Sequence, residues 1–263
     1  MLGKRLAIVT GATGAIGGAI AKAIAIEPDF EVLLLVRDET KGQRTVQRLK
    51  NETGNEGVNF AVVDLSLQQS IREFAVQFDR PVQILINDAA IAPRSRHVTA
   101  EGRELMFATN VLGYYRLTLA LVTNLAQGAP ARVVNVASYW AGDLDLDDLE
   151  FNRRPYNNDT AYRQSKQANR MLTVALAERL HLHNITVNAC HPGDVNSTLS
   201  NALGFGGSES PETGARTPVW LAKNDSVATT TGKYFVGCKQ ESCSFARDRT
   251  GIERLVAICN QMS

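Results

Sequence analysis

The chain is short of cysteine, of long apolar runs and of any excess of charge. Four cysteines (Cys190, Cys238, Cys243 and Cys259) are too few and too scattered for a disulfide framework, and no Cys-x-x-Cys occurs. Reduced thiols are expected. The first residues, MLGKRLAIVTGA, enter a strand pattern with no apolar segment of signal-peptide or membrane-span length, which predicts a cytoplasmic chain without a membrane anchor. The 28 basic and 27 acidic residues leave a formal charge of +1 and form no long block, so no nucleic-acid or other polyanionic partner is expected. Linkers, repeats and low-complexity tracts are also missing, so the 263 residues read as one domain spanning 1–263. No metal site is expected. His181 and His183 stand two apart at a helix end and face different ways, and the acidic DLDLDD (143–148) lacks the glycine and terminal glutamate of a calcium loop. That acidic run reads as a solvated loop.

What is present is a rhythm. The short apolar, β-branched runs LAIVT (6–10), EVLLLV (31–36), VNFAVV (58–63), VQILIN (82–87), ARVVNVAS (131–138), ITVNAC (185–190) and KYFVG (233–237) alternate with helix-length segments. Continuous apolar strands separated by helices predict a parallel sheet buried on both faces. The fold class is therefore α/β: a Rossmann-like doubly wound sheet of about seven mainly parallel strands, with helices on both faces. Two long connections interrupt it, 141–160 and 196–213, and the second holds Gly204, Gly206 and Gly207. Loops of this length are expected to be functional, the second as a lid or substrate-pocket wall.

The stretch TGATGAIG (10–17) follows the first predicted strand and opens a helix predicted over 15–26. A turn rich in glycine lets the backbone approach a pyrophosphate, whose charge suits the free N–H groups of a helix start. Gly11, Gly14 and Gly17 are the candidates for this turn, with Thr13 and Ile16 between them. At the end of the second strand the chain reads LLLVRDETK. An acidic residue there would serve an adenosine ribose, whereas arginine accommodates a 2′-phosphate, so Val36 followed by Arg37 favours NADP(H) over NAD(H). Asp38 is the counter-signal: it would face the ribose if the strand ended one residue later, which keeps NAD(H) possible. In YRQSK, Tyr162 and Lys166 lie one turn apart near the start of a helix predicted over 160–182. A nearby ammonium would favour the phenolate and lower a phenol pKa that is ordinarily about 10.

Further landmarks fall in a fixed order: Asp64-Leu65-Ser66 after the third strand, NDAA at 87–90, Asn110 in FATNVLG, Ser138 ending RVVNVAS, the Tyr162/Lys166 pair, and HPGDVNST at 191–198. With these the chain resembles a short-chain dehydrogenase/reductase over nearly its whole length, and within that family the retinol-dehydrogenase-like, single-domain reductases. The resemblance implies roles. Asp64, beside Leu65, would bond the adenine amino group, and Asn87 with Ala89 would line the cofactor cleft. Ser138 would hold a substrate carbonyl, Tyr162 would move the proton, and Lys166 would bind the nicotinamide ribose and depress the tyrosine pKa. Asn110 would anchor a relay water. Pro192, Gly193 and Val195 would border the nicotinamide, with Ser197 where the family usually has threonine. Each also has a plainer reading: Asp64 as a helix cap, Asn110 as a helix kink, Ser138 as a strand end.

Two departures stand out. Ala15 stands where the family's usual T-G-x-x-x-G-x-G has its second glycine, so the turn reads T-G-x-x-G-x-x-G, as in the extended epimerase and dehydratase branch, and NDAA replaces the commoner NNAG. Asp88 adds a charge near the cleft, and Ala90 lacks glycine's access to positive φ. The resemblance implies reversible hydride transfer between NADP(H) and a lipophilic carbonyl or alcohol substrate. Its rivals are an NADP(H)-binding sensor or scaffold without turnover, and a sugar-nucleotide epimerase or dehydratase. The segment VLGYYRLTLALVTNLA (111–126), apolar nearly all round, predicts a homodimer or tetramer through this helix and the one bearing Tyr162, or burial within the monomer.

Overall fold

The computed structural model describes residues 4–263. Eight strands form one sheet: β1 (Arg5–Thr10), β2 (Phe30–Val36), β3 (Val58–Val62), β4 (Ile84–Asn87), β5 (Ala131–Val136), β6 (Ile185–His191), β7 (Tyr234–Val236) and β8 (Lys239–Glu241). Their order is β3-β2-β1-β4-β5-β6-β7-β8, parallel throughout except for β8, which pairs antiparallel to β7. The first seven coincide with the seven apolar runs. The eighth raises the count above the expected seven; it is a three-residue edge strand, KQE, exposed at every position, and so carries no apolar signal.

Alternation along each strand divides the core in two. Leu6, Ile8, Leu85, Val133 and Val187 face one layer, and Ala7, Val9, Ile86, Val134 and Val136 the other. The helices are α1 (Ala15–Ala25), α2 (Glu39–Thr53), α3 (Gln68–Gln77), α4 (Leu105–Phe107), α5 (Gly113–Ala120), α6 (Val122–Gln127), α7 (Asn158–Leu180), α8 (Thr198–Ala202), α9 (Pro211–Lys223) and α10 (Arg249–Gln261). Helices α1, α2 and α9 cover the second face, and α3, α5, α6, α7 and α10 the first. None of the helices among the described residues is long and apolar enough to cross a membrane.

The apolar segment at 111–126 is not one helix. A π-helical turn over Ala108–Leu112 precedes α5, and Leu121 (φ −98°, ψ 10°) separates α5 from α6. Asn110 sits inside the wide turn, as the helix-kink reading anticipates. Nearly all of this segment is buried within the chain itself, from Val111 to Thr118 and again at Leu121, Asn124 and Leu125. The C-terminal α10 supplies much of the cover: Tyr115 donates its hydroxyl to Asn260 Oδ1 (2.8 Å), and Arg116 bonds the Met262 carbonyl.

The acidic run at 143–148 is not simply solvated. Asp148 is buried and accepts the main-chain N–H groups of Asn152 (2.7 Å) and Arg154 (3.1 Å). Burial alone would raise its pKa, but these N–H groups outweigh burial and hold it below the ordinary carboxylate value. Nearby, Glu150 accepts the Glu104 N–H (2.9 Å), and Glu104 in turn caps α4 by accepting the N–H groups of Met106 and Phe107. The loop is thus folded around its own carboxylates.

Candidate active site

The strand order reverses between β1 and β4, and the crevice beyond the carboxyl ends of such neighbours is where ligands enter an open α/β sheet. A cleft lies there. Its floor is the turn between β1 and α1, and Thr10 Oγ1 ties this floor to the segment after β4 by accepting the N–H groups of Asp88 (2.9 Å) and Ala89 (3.1 Å). Gly11 has φ +72°, and a Cβ there would lie 2.8 Å from Ala89 main-chain atoms. A Cβ on Gly17 would lie 2.5 Å from the Gly11 carbonyl oxygen. Both glycines are therefore required by close backbone approach, the first to turn the chain and the third to seat α1 on it.

Gly14 is the N-cap of α1 and provides no side-chain cap, nor does the first turn of α1 contain an acidic residue. The Gly14 N–H bonds the Gly11 carbonyl (2.9 Å), and no side chain of the helix itself caps the N–H groups that follow, the donors that a dinucleotide pyrophosphate requires. Ala15, at the first position of α1, is half-buried and lines the cleft, so its methyl group is accommodated without disturbing those N–H groups. Ala90 keeps a backbone that an L-residue adopts without strain, since it is not among the positive-φ positions.

The cleft brings together Gly11, Thr13, Gly14 and Ile16 from the turn, Arg37 from the end of β2, Asp64 and Leu65 from the end of β3, and Ala89 after β4. Tyr162, Lys166, Pro192 and Ser197 complete its other end. Gly17 stands behind the turn. Asp64 Oδ1 accepts the Ser66 N–H (2.9 Å) and hydroxyl (2.7 Å), a local turn that orients the carboxylate. Arg37 is exposed at the cleft edge. Asp38, by contrast, is the N-cap of α2 and accepts the Lys41 N–H (3.0 Å), because β2 ends at Val36.

Asn87 does not line the cleft. Strand alternation puts its side chain on the α5/α7 face, 0% exposed, where Nδ2 donates to Asn135 Oδ1 (2.9 Å) and Thr118 Oγ1 (3.2 Å). Asn110 also lies behind the cleft wall. Its amide brackets Ile91, accepting that residue's N–H (2.9 Å) and donating to its carbonyl (3.0 Å), so the side chain braces the loop after β4.

Asn157 caps α7 by accepting the Thr160 N–H (2.9 Å), which starts the helix two residues before the predicted position and puts Tyr162 and Lys166 in its first turns. Lys166 is 1% exposed, and its Nζ donates to the Val136 carbonyl (2.8 Å), 5.6 Å from the centre of the Tyr162 ring. Burial pushes the ammonium pKa down, while Asp88 works against that. The expected depression of the phenol is not what the structure gives. Burial pushes Tyr162 well up, the nearby Ser138 side chain only partly offsets this, and Asp88 adds to the rise. Desolvation of the phenolate outweighs a cation that is directed at a main-chain carbonyl. At neutral pH the phenol is protonated.

A second hollow adjoins the first. Ser138, Gly193 and Val195 line it, not the dinucleotide cleft, while Tyr162, Pro192, Ser197 and Ile16 line both. Tyr162 thus stands in the wall between them. Ser197 caps α8 by accepting the Ser200 N–H (3.1 Å), which positions the helix that floors both hollows. Its aromatic and aliphatic lining, Tyr139, Trp140, Leu199, Leu203 and Phe205, was not singled out from the sequence, and His191, read there as a surface or core histidine, joins it. Trp140 meets Phe205 edge-on at 5.5 Å and Tyr162 at 6.1 Å, and the edge of Tyr139 meets His191 at 4.7 Å. Leu199, Leu203 and Phe205 come from the glycine-rich connection, and for these the signal was the length of that loop.

A family model described as short chain dehydrogenase matches residues 5–204. Retinol dehydrogenase 13 of Homo sapiens is 36% identical over 255 residues, covering 89% of this chain and 77% of its own. A solved structure from Mycobacterium Paratuberculosis, described only as an uncharacterized protein, superposes with a TM-score of 0.82 at 27% identity, over 99% of this chain and 93% of its own. An NAD(P)-dependent gluconate 5-dehydrogenase from Beutenbergia cavernae, with bound NADP at low occupancy, gives a TM-score of 0.72 at 25% identity, covering 89% of this chain and 95% of its own. The glycine turn at the switch point, the Tyr162/Lys166 pair on α7 and these similarities lead to one conclusion: the chain belongs to the short-chain dehydrogenase/reductase family of oxidoreductases and is similar within it to the retinol dehydrogenases.

Proposed function

We propose that the protein transfers a hydride between NADP(H) and a carbonyl/alcohol pair on an apolar small molecule. The observation that carries this reading is the position of Tyr162 in the wall shared by the cleft at the β1/β4 switch point and an aromatic hollow. The bound nicotinamide supplies the hydride. In the reductive direction, the Tyr162 hydroxyl gives its proton to the oxygen of the reacting carbonyl, and the Ser138 hydroxyl donates a hydrogen bond to the same oxygen. Tyr162 is protonated at neutral pH, which is the form that donates. Lys166 would hold a ribose hydroxyl with its ammonium group.

Two features support NADP(H). Arg37 is open at the cleft edge where a 2′-phosphate would lie, and Asp38 is committed to capping α2 and so is not available to a ribose. Trp140, Leu199, Leu203 and Phe205 support an apolar substrate, because such a wall offers dispersion contacts and few hydrogen bonds.

The test is turnover of NADPH with a panel of apolar aldehydes and ketones, repeated with Tyr162→Phe. Loss of about 10²–10⁴-fold in rate with cofactor binding retained is the expected result. Undiminished turnover in the variant would remove Tyr162 from its role. NADPH binding with no turnover across the panel would favour a sensor, and sugar-nucleotide conversion without net NADPH consumption would favour an epimerase.

A further inference from the structure

An acidic side chain adjoins the phosphate-binding end of the cleft. Asp88, which stands where the family's motif commonly has asparagine, lines the cleft with Gly11, Gly14 and Ile16. Its carboxyl lies against Gly17, with Oδ2 2.7 Å from where a Gly17 Cβ would be, and the Gly17 N–H acts to favour its ionised form. Gly17 is the third residue of α1, and its N–H is one of the free donors of that helix start. The carboxyl therefore occupies part of the anion-binding terminus that a pyrophosphate would use.

We propose that Asp88 makes dinucleotide binding proton-linked: the pyrophosphate is accommodated on the protein whose Asp88 carboxyl is neutral, and ionised Asp88 opposes it. The proposal rests on the dinucleotide reading of the cleft given above. The groups acting on this carboxyl come from every element around it: the Gly17 N–H from α1, Lys166 and Tyr162 from α7, Tyr114 from α5 and Cys190 from β6. Burial pushes both phenols and the thiol up, so they are uncharged near neutral pH, and Lys166 is the cation of the set. The protonation state of Asp88 is therefore a contest between its own burial and the stabilising pair formed by Lys166 and the Gly17 N–H. Burial prevails and holds the carboxyl well above the ordinary range. As pH rises through neutrality the carboxylate forms and adds a negative charge beside the diphosphate on a single helix terminus.

The experiment is calorimetric titration of the intact chain with NADP⁺ from about pH 6.5 to about pH 9, in buffers of differing ionisation enthalpy, beside Asp88→Asn. The parent should take up part of a proton on binding. Its affinity should fall with pH more steeply than that of the variant, by up to about tenfold per unit above the titration of Asp88. Asp88 also holds the Lys166 pKa up against burial, so Asp88→Asn is compared in the Lys166→Met background too, and the part of the slope lost there belongs to Asp88. The asparagine variant restores the commoner family motif; should it not fold, Asp88→Ser gives the same readout. Equal slopes and equal proton uptake in two proteins that both bind would overturn the role of Asp88 alone. Failure of both to bind at any pH would overturn the dinucleotide reading and this proposal with it.

Discussion

His191 and Tyr162 face the same aromatic hollow, and burial keeps both uncharged at neutral pH by moving their pKa values in opposite directions. His191 is pushed down to about 4, first by burial and then by the Arg170 guanidinium nearby. Its ordinary value is about 6.5, so between about pH 6.5 and about pH 4 the unfolded chain binds a proton that the folded protein refuses. The stability tied to neutral His191 is thus fully present above about pH 6.5 and is lost as pH falls, by up to about 3 kcal/mol. Urea midpoints at neutral and acidic pH, compared for the parent and His191→Gln, check this. The parent should lose more stability on acidification, and equal losses would mean that His191 titrates normally. At this scale the sequence was informative about residue type and order but not about environment. The Tyr162/Lys166 spacing was plain, whereas the sign of the phenol shift depended on burial and on Lys166 Nζ being directed at the Val136 carbonyl.

The turn from β1 into α1 shows how an element tolerates a displaced glycine. Ala15 is the first residue of α1 and half-buried, so its Cβ has room, whereas a Cβ on Gly17 would meet the Gly11 carbonyl oxygen at 2.5 Å. Gly17→Ala should therefore destabilise the protein by about 1–3 kcal/mol and weaken dinucleotide binding, because backbone on both sides must shift. Ala15→Gly should leave binding unchanged and cost about 1 kcal/mol or less in helix propensity. Thermal denaturation and cofactor titration of the two variants distinguish these outcomes, and a harmless Gly17→Ala would contradict the close-approach argument. Seven strands were legible because each is an apolar run buried on both faces. β8 was not, since an exposed three-residue edge strand has no pattern to read. Asn87 was misplaced for a related reason: its motif marks the end of β4, but strand parity, visible only with the register, turns it toward Asn135.

For the molecule as a whole, the C-terminal helix covers part of the apolar segment 111–126. The family resemblance puts a pairing surface on the helices equivalent to α5 and α7. Here Ile252, Leu255 and Cys259 of α10 join the core cluster that contains Leu117, Met171 and Leu176, and Arg249 pairs with Glu178 on α7 (2.6 Å). Much of the apolar character of 111–126 is thereby satisfied within one chain, so that segment alone does not require a partner. Pairing through α5 and α7 predicts a dimeric or tetrameric mass by light scattering that charge substitutions on those helices disrupt, and a monomeric mass would end that proposal. Neither α10 as a cover nor the burial of Asp148 and Glu150 in the long connection could be read beforehand, because both depend on which distant segments meet.

One phenol, Tyr162, serves two adjoining hollows. A crystal structure of the protein with NADP(H) and an apolar ketone or aldehyde should show the nicotinamide beside Lys166 and Pro192, with the carbonyl oxygen held by the Tyr162 and Ser138 hydroxyls and its apolar part against Trp140 and Phe205. A dinucleotide bound elsewhere, or a carbonyl bound out of reach of the Tyr162 hydroxyl, would contradict it.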